Sequence, residues 1–144
     1  MYVNVEGAQT ARNDVGQGMA TIVSALDRQC RDSLGVEVEL SRRTAGNPAH
    51  DRLAEAVSLL ARSFPKDRVI LIIDEIDSLM GDVLLAVLRQ LRSAYHTRGV
   101  GRFPTSIALV GVRDVKDYQV YSGAEKKYVV GGSAFNVKAG TLSP

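Results

Sequence analysis

Residues 69–77 read Val-Ile-Leu-Ile-Ile-Asp-Glu-Ile-Asp. An apolar, β-branched run, Val69–Ile73, leads directly into Asp74 and Glu75. In a parallel sheet the ligand crevice lies beyond the carboxyl ends of the strands. Two adjacent carboxylates at that position have different chemistry open to them. One can hold a hydrated Mg²⁺, which favours hard oxygen ligands. The next can take a proton from an attacking water. The plainer alternative is structural: an acidic residue often follows a buried strand only to cap the next helix, and Asp77 or Ser78 could do that here.

Other chemistry is poorly supported. His50 and His96 are far apart, and neither has metal-ligand spacing with Cys30, which argues against a zinc site. No Gly-x-Ser-x-Gly nucleophile elbow occurs. A phosphoacceptor aspartate would want an acidic pair after the first strand, and Glu6 alone is a poor substitute. Tyr95, Tyr118, Tyr121 and Tyr128 read as packing or surface residues rather than as base-stacking platforms.

The elements that must position Asp74 and Glu75 follow from periodicity. Tyr2–Val5 alternates and reads as a short strand, followed by a turn-rich stretch to Asn13. Val15, Met19, Ile22, Val23, Leu26, Cys30 and Leu34 recur at steps of three and four, predicting a helix over 14–33 that Gly35 ends. Gly16 and Gly18 weaken its first turn, by up to ~1 kcal/mol each relative to Ala. Residues 36–46 read as a variable loop. Asn47-Pro48 reads as the next helix start, with Asn as cap and Pro at the first helical position. Leu53, Val57, Leu60 and Phe64 give that helix its stripe, and Pro65 stops it.

Val69–Ile73 reads as a strand buried on both faces at the centre of a parallel sheet. A helix over 79–97 follows, and Ser106–Val112 is a second buried strand. Residues 114–134 show no clear period, and Phe135–Lys138 reads as a last short strand. This alternation predicts an α/β fold, a three-layer sandwich with a mostly parallel sheet, in a single domain over 1–144.

Composition sets outer limits. Of 144 residues, 45% are apolar and 24% charged, the make-up of an ordinary globular domain rather than a disordered or fibrous chain. No apolar run approaches the ~18–20 residues a membrane span needs. The first residues have neither the basic start nor the apolar stretch of a signal peptide, and the single cysteine fits a reducing compartment. The expectation is therefore a cytoplasmic protein with no membrane partner. Eighteen basic against sixteen acidic residues leave a net charge of +2, which does not support nucleic-acid binding.

Val69–Leu79 resembles the Walker B segment of P-loop ATPases of the AAA+ class. Ser106–Asp114 resembles the neighbouring strand that carries the sensor 1 polar residue, with one helix between the two. The strings Val5-Glu-Gly-Ala, Gly111-Val-Arg-Asp-Val-Lys-Asp-Tyr118 and Gly132-Ser-Ala-Phe-Asn-Val137 are similar to bacterial AAA-like ATPase-domain proteins. The resemblance implies an ATP-binding and ATP-hydrolysing parent family with ATP and Mg²⁺ as cofactors. In it Asp74 would coordinate Mg²⁺, Glu75 would polarise water, and Arg113 or Asp114 would take the sensor place near the γ-phosphate.

The chain departs from that family in one large respect. No Gly-x-x-x-x-Gly-Lys-Ser/Thr (Walker A) occurs in it, and the nearest glycine cluster, Gly16-Gln-Gly18-Met-Ala-Thr21, lacks the lysine. In the family the P-loop strand and helix precede the strand that corresponds to Tyr2–Val5. The expectation is thus an ATPase domain without its N-terminal βα unit, truncated or degenerate, and inactive alone. The strands near 2–5, 69–73 and 106–112 would still be neighbours. The edge beside Ser106–Val112 would be open, to be closed by Phe135–Lys138 or by self-association with another copy. The alternative function is a non-catalytic α/β interaction module.

Overall fold

The computed structural model describes residues 1–64, 69–96, 103–112 and 119–130. Three short strands, β1 (Tyr2–Asn4), β2 (Ile70–Asp74) and β3 (Ser106–Leu109), form a parallel sheet in the order β1-β2-β3. Tyr2 pairs with Ile72 and Asn4 with Asp74, while Ile70 pairs with Ser106 and Ile72 with Ala108. The three strand regions expected to be adjacent are adjacent, and β2 is the middle one.

The helices follow the apolar periodicity. α1 (Val15–Leu34) is capped at its start by Asp14, whose carboxylate accepts from the Gln17 N–H, and at its end by Gly35 in the left-handed region. α2 (Leu40–Arg43) is a single turn inside the stretch expected to be a loop; the Asp27 carboxylate accepts from the N–H groups of Leu40 and Ser41 and so nucleates it. α3 (Ala49–Ser63) and α4 (Gly81–His96) complete the set. Asn47 does not cap α3: Pro48 occupies the cap position with no side-chain hydrogen bond. The buried Gln90 of α4 braces the second turn of α3. Its carbonyl oxygen accepts from Leu53 and Ala54 N–H, and its amide donates to the Ala49 carbonyl. α1, α3 and α4 pack on one another around Met19, Ile22, Leu26, Leu53, Leu60, Leu85, Leu88 and Leu91, all buried.

The glycine at position 18, read from sequence as a helix weakener, has a packing reason. A Cβ there would stand 2.7 Å from both γ-methyls of Val83, so its absence lets α4 approach α1.

Two further expectations differ from the structure. Residues 114–134 are expected to show no clear period, yet within them lies an antiparallel hairpin of β4 (Gln119–Ser122) and β5 (Lys127–Val130) that packs on α4. Among the described residues the sheet is also covered on one face only. Val3, Val5, Leu71 and Ile73 point into the helical core, whereas Tyr2, Ile70, Ala108 and Val110 on the alternate face are exposed. Burial alternates along each strand, so the described residues make a two-layer arrangement, with helices against one side of a small parallel sheet. The expected strand at Phe135–Lys138 lies outside the described residues. Among the described residues no helix is long and apolar enough to cross a membrane.

Candidate functional site

Asp74 ends β2, and Glu75 follows at the carboxyl edge of the sheet. Both oxygens of Asp74 are held. Oδ2 accepts from the Tyr2 hydroxyl at 2.5 Å, and Oδ1 accepts from the Glu75 backbone N–H at 2.9 Å. The Tyr2 phenol is held above its ordinary value, chiefly because its proton is shared with the Asp74 carboxylate. Sequence reasoning gave Tyr2 no role. It reaches Asp74 because β1 and β2 run parallel in a register that places Tyr2 beside Ile72, two positions before Asp74 and on the same face.

Glu75 is exposed and sits in the left-handed region, with φ 59° and ψ 36°. An L-residue there costs roughly 1–2 kcal/mol relative to the right-handed region. The surroundings hold it in place: Ile76 N–H donates to the Val110 carbonyl, and Val110 N–H donates to the Ile73 carbonyl. The chain therefore turns sharply at the carboxyl end of β2 and presents the Glu75 carboxylate outward. Among the described residues Asp74, Glu75 and Asp77 form no ion pair.

Asp77 is not a helix cap. Its Oδ2 accepts from Val112 N–H at 2.9 Å, tying the end of β2 to the segment after β3. Its Oδ1 is shielded from solvent and finds no hydrogen-bond partner among the described residues. Ser78 Oγ is likewise buried without one. The start of α4 is held by the segment before α1 instead: Asp82 N–H donates to Asn13 Oδ1 and Val83 N–H to the Arg12 carbonyl.

A second polar cluster joins α4 to the hairpin. Asp82 accepts from Ser122 Oγ at 2.6 Å and from Ala124 N–H at 3.1 Å. Glu125 is paired with Arg89 at 2.6 Å and with Lys127 at 3.1 Å, and Arg89 followed by Lys127 holds its carboxyl below the ordinary value. A cleft of about 540 Å³ lies between these groups and the start of α3, with His50, Asp51, Asp82, Arg89 and Glu125 on its walls. A smaller cleft of about 340 Å³ is walled by Arg12, Asn13, Asp77, Met80 and Tyr121. Neither cleft is lined by Asp74 or Glu75, so the structure places Asp77 in a concavity and the other two carboxylates outside it. Arg113 and Asp114 lie outside the described residues.

The fit to an implied metal and nucleotide is unequal. Mg²⁺ keeps most of its waters and takes one or two carboxylates, and Asp74, with one lone pair still open on each oxygen, meets that minimum. Among the described residues no group of three or more His, Cys, Asp or Glu could hold a metal ion. A triphosphate fits poorly beside three carboxylates that lack a paired cation among the described residues. Comparison of the chain with family models, with curated proteins and with solved structures finds no match.

Proposed function

We propose that this chain carries the acidic half of an AAA-like, P-loop type nucleotide-hydrolysing core, and that these residues do not hydrolyse ATP by themselves. What supports the reading is the placement of Asp74 and Glu75 at the carboxyl end of the middle strand of a parallel sheet. Asp74 is the residue that would hold Mg²⁺. The Tyr2 hydroxyl and the Glu75 N–H fix the orientation of its carboxylate. Glu75, outward and free of ion pairs among the described residues, is the group that could orient a water and accept its proton. Bound Mg²⁺ would supply neutralisation of phosphate charge.

Phosphoryl transfer in P-loop enzymes is mostly positioning and charge stabilisation. Loop N–H groups and a lysine hold the β- and γ-phosphates, and no Gly-x-x-x-x-Gly-Lys exists in these residues. Glu75 would therefore face no anchored γ-phosphate, and Asp74, Glu75 and Asp77 would repel a free one. Titration of the purified chain with MgCl₂ and with Mg·ATP, read by amide NMR shifts, tests this. The expected outcome is weak, saturable Mg²⁺ shifts at Asp74 and Glu75, lost in Asp74→Ala, with no tight ATP binding. Absent Mg²⁺ shifts would sink the metal role. Low-micromolar ATP binding lost in Asp74→Ala would overturn the inactivity.

A further inference from the structure

We infer that Asp77 is a positioning residue: by accepting from the Val112 N–H it holds the backbone turn at Glu75, and through that turn the direction of the Glu75 carboxylate. Asp77 thereby deepens the reading of Glu75 as the group that orients a water, and its role is measurable without metal or nucleotide.

The Glu75 side chain has nothing of its own to aim it. It is exposed, and among the described residues it makes no hydrogen bond and no ion pair. A side chain so placed takes its direction from its Cα–Cβ bond, which is set by the backbone angles. At φ 59° and ψ 36° Glu75 lies in the left-handed region, which glutamate does not favour. Such a conformation persists only where the surrounding structure over-determines it. Whatever fixes those two angles therefore positions the carboxylate.

Both sides of Glu75 are tied. Its N–H donates to Asp74 Oδ1 at 2.9 Å, and its carbonyl accepts from Ser78 N–H at 3.0 Å, which makes that carbonyl part of the turn Ile76–Ser78. The turn is in turn held by two clamps from the segment after β3. The first is backbone: Val110 N–H donates to the Ile73 carbonyl at 2.8 Å, and Ile76 N–H donates to the Val110 carbonyl at 3.1 Å. These bonds anchor the chain before Asp74 and just after Glu75. The second clamp is the Asp77 carboxylate, whose Oδ2 accepts from Val112 N–H at 2.9 Å. It fixes the far side of the turn, so the unit carrying the Glu75 carbonyl cannot swing about Ile76.

Asp77 sits there against its own solvation. Its Oδ1 is shielded from solvent and has no hydrogen-bond partner among the described residues. A buried acceptor left unpaired is unfavourable and calls for an explanation. Gly111 lies directly against it: a Cβ there would stand 2.9 Å from Asp77 Oδ1 and 3.1 Å from Ile76 Cγ2. The backbone after β3 is thus packed onto the Asp77 carboxylate with no side chain between them. A fixed direction for Glu75 explains why an acidic group is kept in that place.

The test uses the full 144-residue chain, isotopically labelled, first without metal or nucleotide. A residue in the left-handed region brings its amide hydrogen close to its own Hα, so its intraresidue nuclear Overhauser effect is several-fold stronger than in the right-handed or extended regions. Glu75 should show that signature in the parent chain. It should fall several-fold in Asp77→Ala and survive in Asp77→Asn, whose side-chain oxygen still accepts from Val112 N–H. Asp82→Ala, which loosens the hairpin and not this turn, should leave it unchanged, and so separates positioning from a general loss of stability. Where Asp77→Ala does not fold, Gly111→Ala, which presses a methyl group onto Oδ1, should produce the same fall. MgCl₂ is then added: in Asp77→Ala the Asp74 amide should still shift and the Glu75 amide should not. A signature that persists in Asp77→Ala with unchanged circular dichroism would overturn the inference, because Val110 alone would then hold the turn. So would its absence from the parent, or an equal fall in Asp77→Asn or Asp82→Ala. No Mg²⁺ shift in the parent would end the metal role of Asp74 instead, while the metal-free signature still decides the role of Asp77.

Discussion

Glu75 holds a backbone conformation, φ 59°, that asparagine or glycine tolerates far better than glutamate. Backbone strain of this kind clusters at active sites, ligand clamps and switch regions. Glu75→Asn should leave the fold intact and raise stability by up to ~1 kcal/mol in urea unfolding, with an unchanged denaturant slope. A loss of stability instead would mean that the Glu75 carboxylate makes a stabilising contact, and the case for a functional reason would weaken. At this scale the positions of Asp74 and Glu75 were legible in the order apolar run then carboxylates. Tyr2 was not, because its bond to Asp74 spans 72 positions of sequence and depends on strand register. The role of Asp77 was hidden for a related reason: its partner, Val112 N–H, belongs to the segment after β3.

Two interfaces between elements can be probed separately. Gly18 lets α1 and α4 cross closely, and a methyl group at that position would press on Val83. Gly18→Ala should therefore lower stability by about 1–3 kcal/mol through overpacking, although alanine is the better helix former. A gain measured by thermal unfolding would show that α4 can retreat without loss. Asp82 holds the hairpin by accepting from Ser122 Oγ and Ala124 N–H. Asp82→Ala should cost about 1–3 kcal/mol and should raise hydrogen exchange selectively in β4 and β5. If exchange rises equally in α1 and α3, the hairpin is not an independently docked unit. The helices were legible because their apolar steps of three and four survive in any tertiary context. The hairpin was not. Its alternation is carried by few residues, among them Val120 and Val129, and its connection, Gly123 to Lys126, lacks an Asn-Gly or Asp-Gly signal.

Cys30 reports on the whole molecule. It is fully buried on α1, and burial, with the charge of Asp27 adding, pushes its thiol up to about 11. Alkylation needs the thiolate. Native protein at pH 8 should thus react with thiol reagents far more slowly than unfolded chain, at a rate set by opening of the core. The folded value lies above the unfolded value near 9.0, so the unfolded chain releases this proton first as pH rises. The thiol's contribution is full below pH 9 and falls as pH climbs toward 11. Urea unfolding across that range should show the decline, and Cys30→Ala should flatten it. A decline that is unchanged in Cys30→Ala would assign it to other groups.

What the sequence determined by itself was the set of elements whose signal is local. These are the three amphipathic helices, the apolar run of β2 and the acidic pair at its end. Each rests on periodicity or on the order of a few consecutive residues, which packing cannot rearrange. Tertiary structure alone decided the rest. The apolar run Val69–Ile73 has the pattern of a strand covered on both faces, and only the placement of the helices against Leu71 and Ile73 left Ile70 and Tyr2 exposed. The partners of Asp74, Asp77 and Gln90 come from distant positions brought together by strand register and helix crossing. Side-chain pairing across such separations is set by the fold's geometry, which no local pattern of residues encodes.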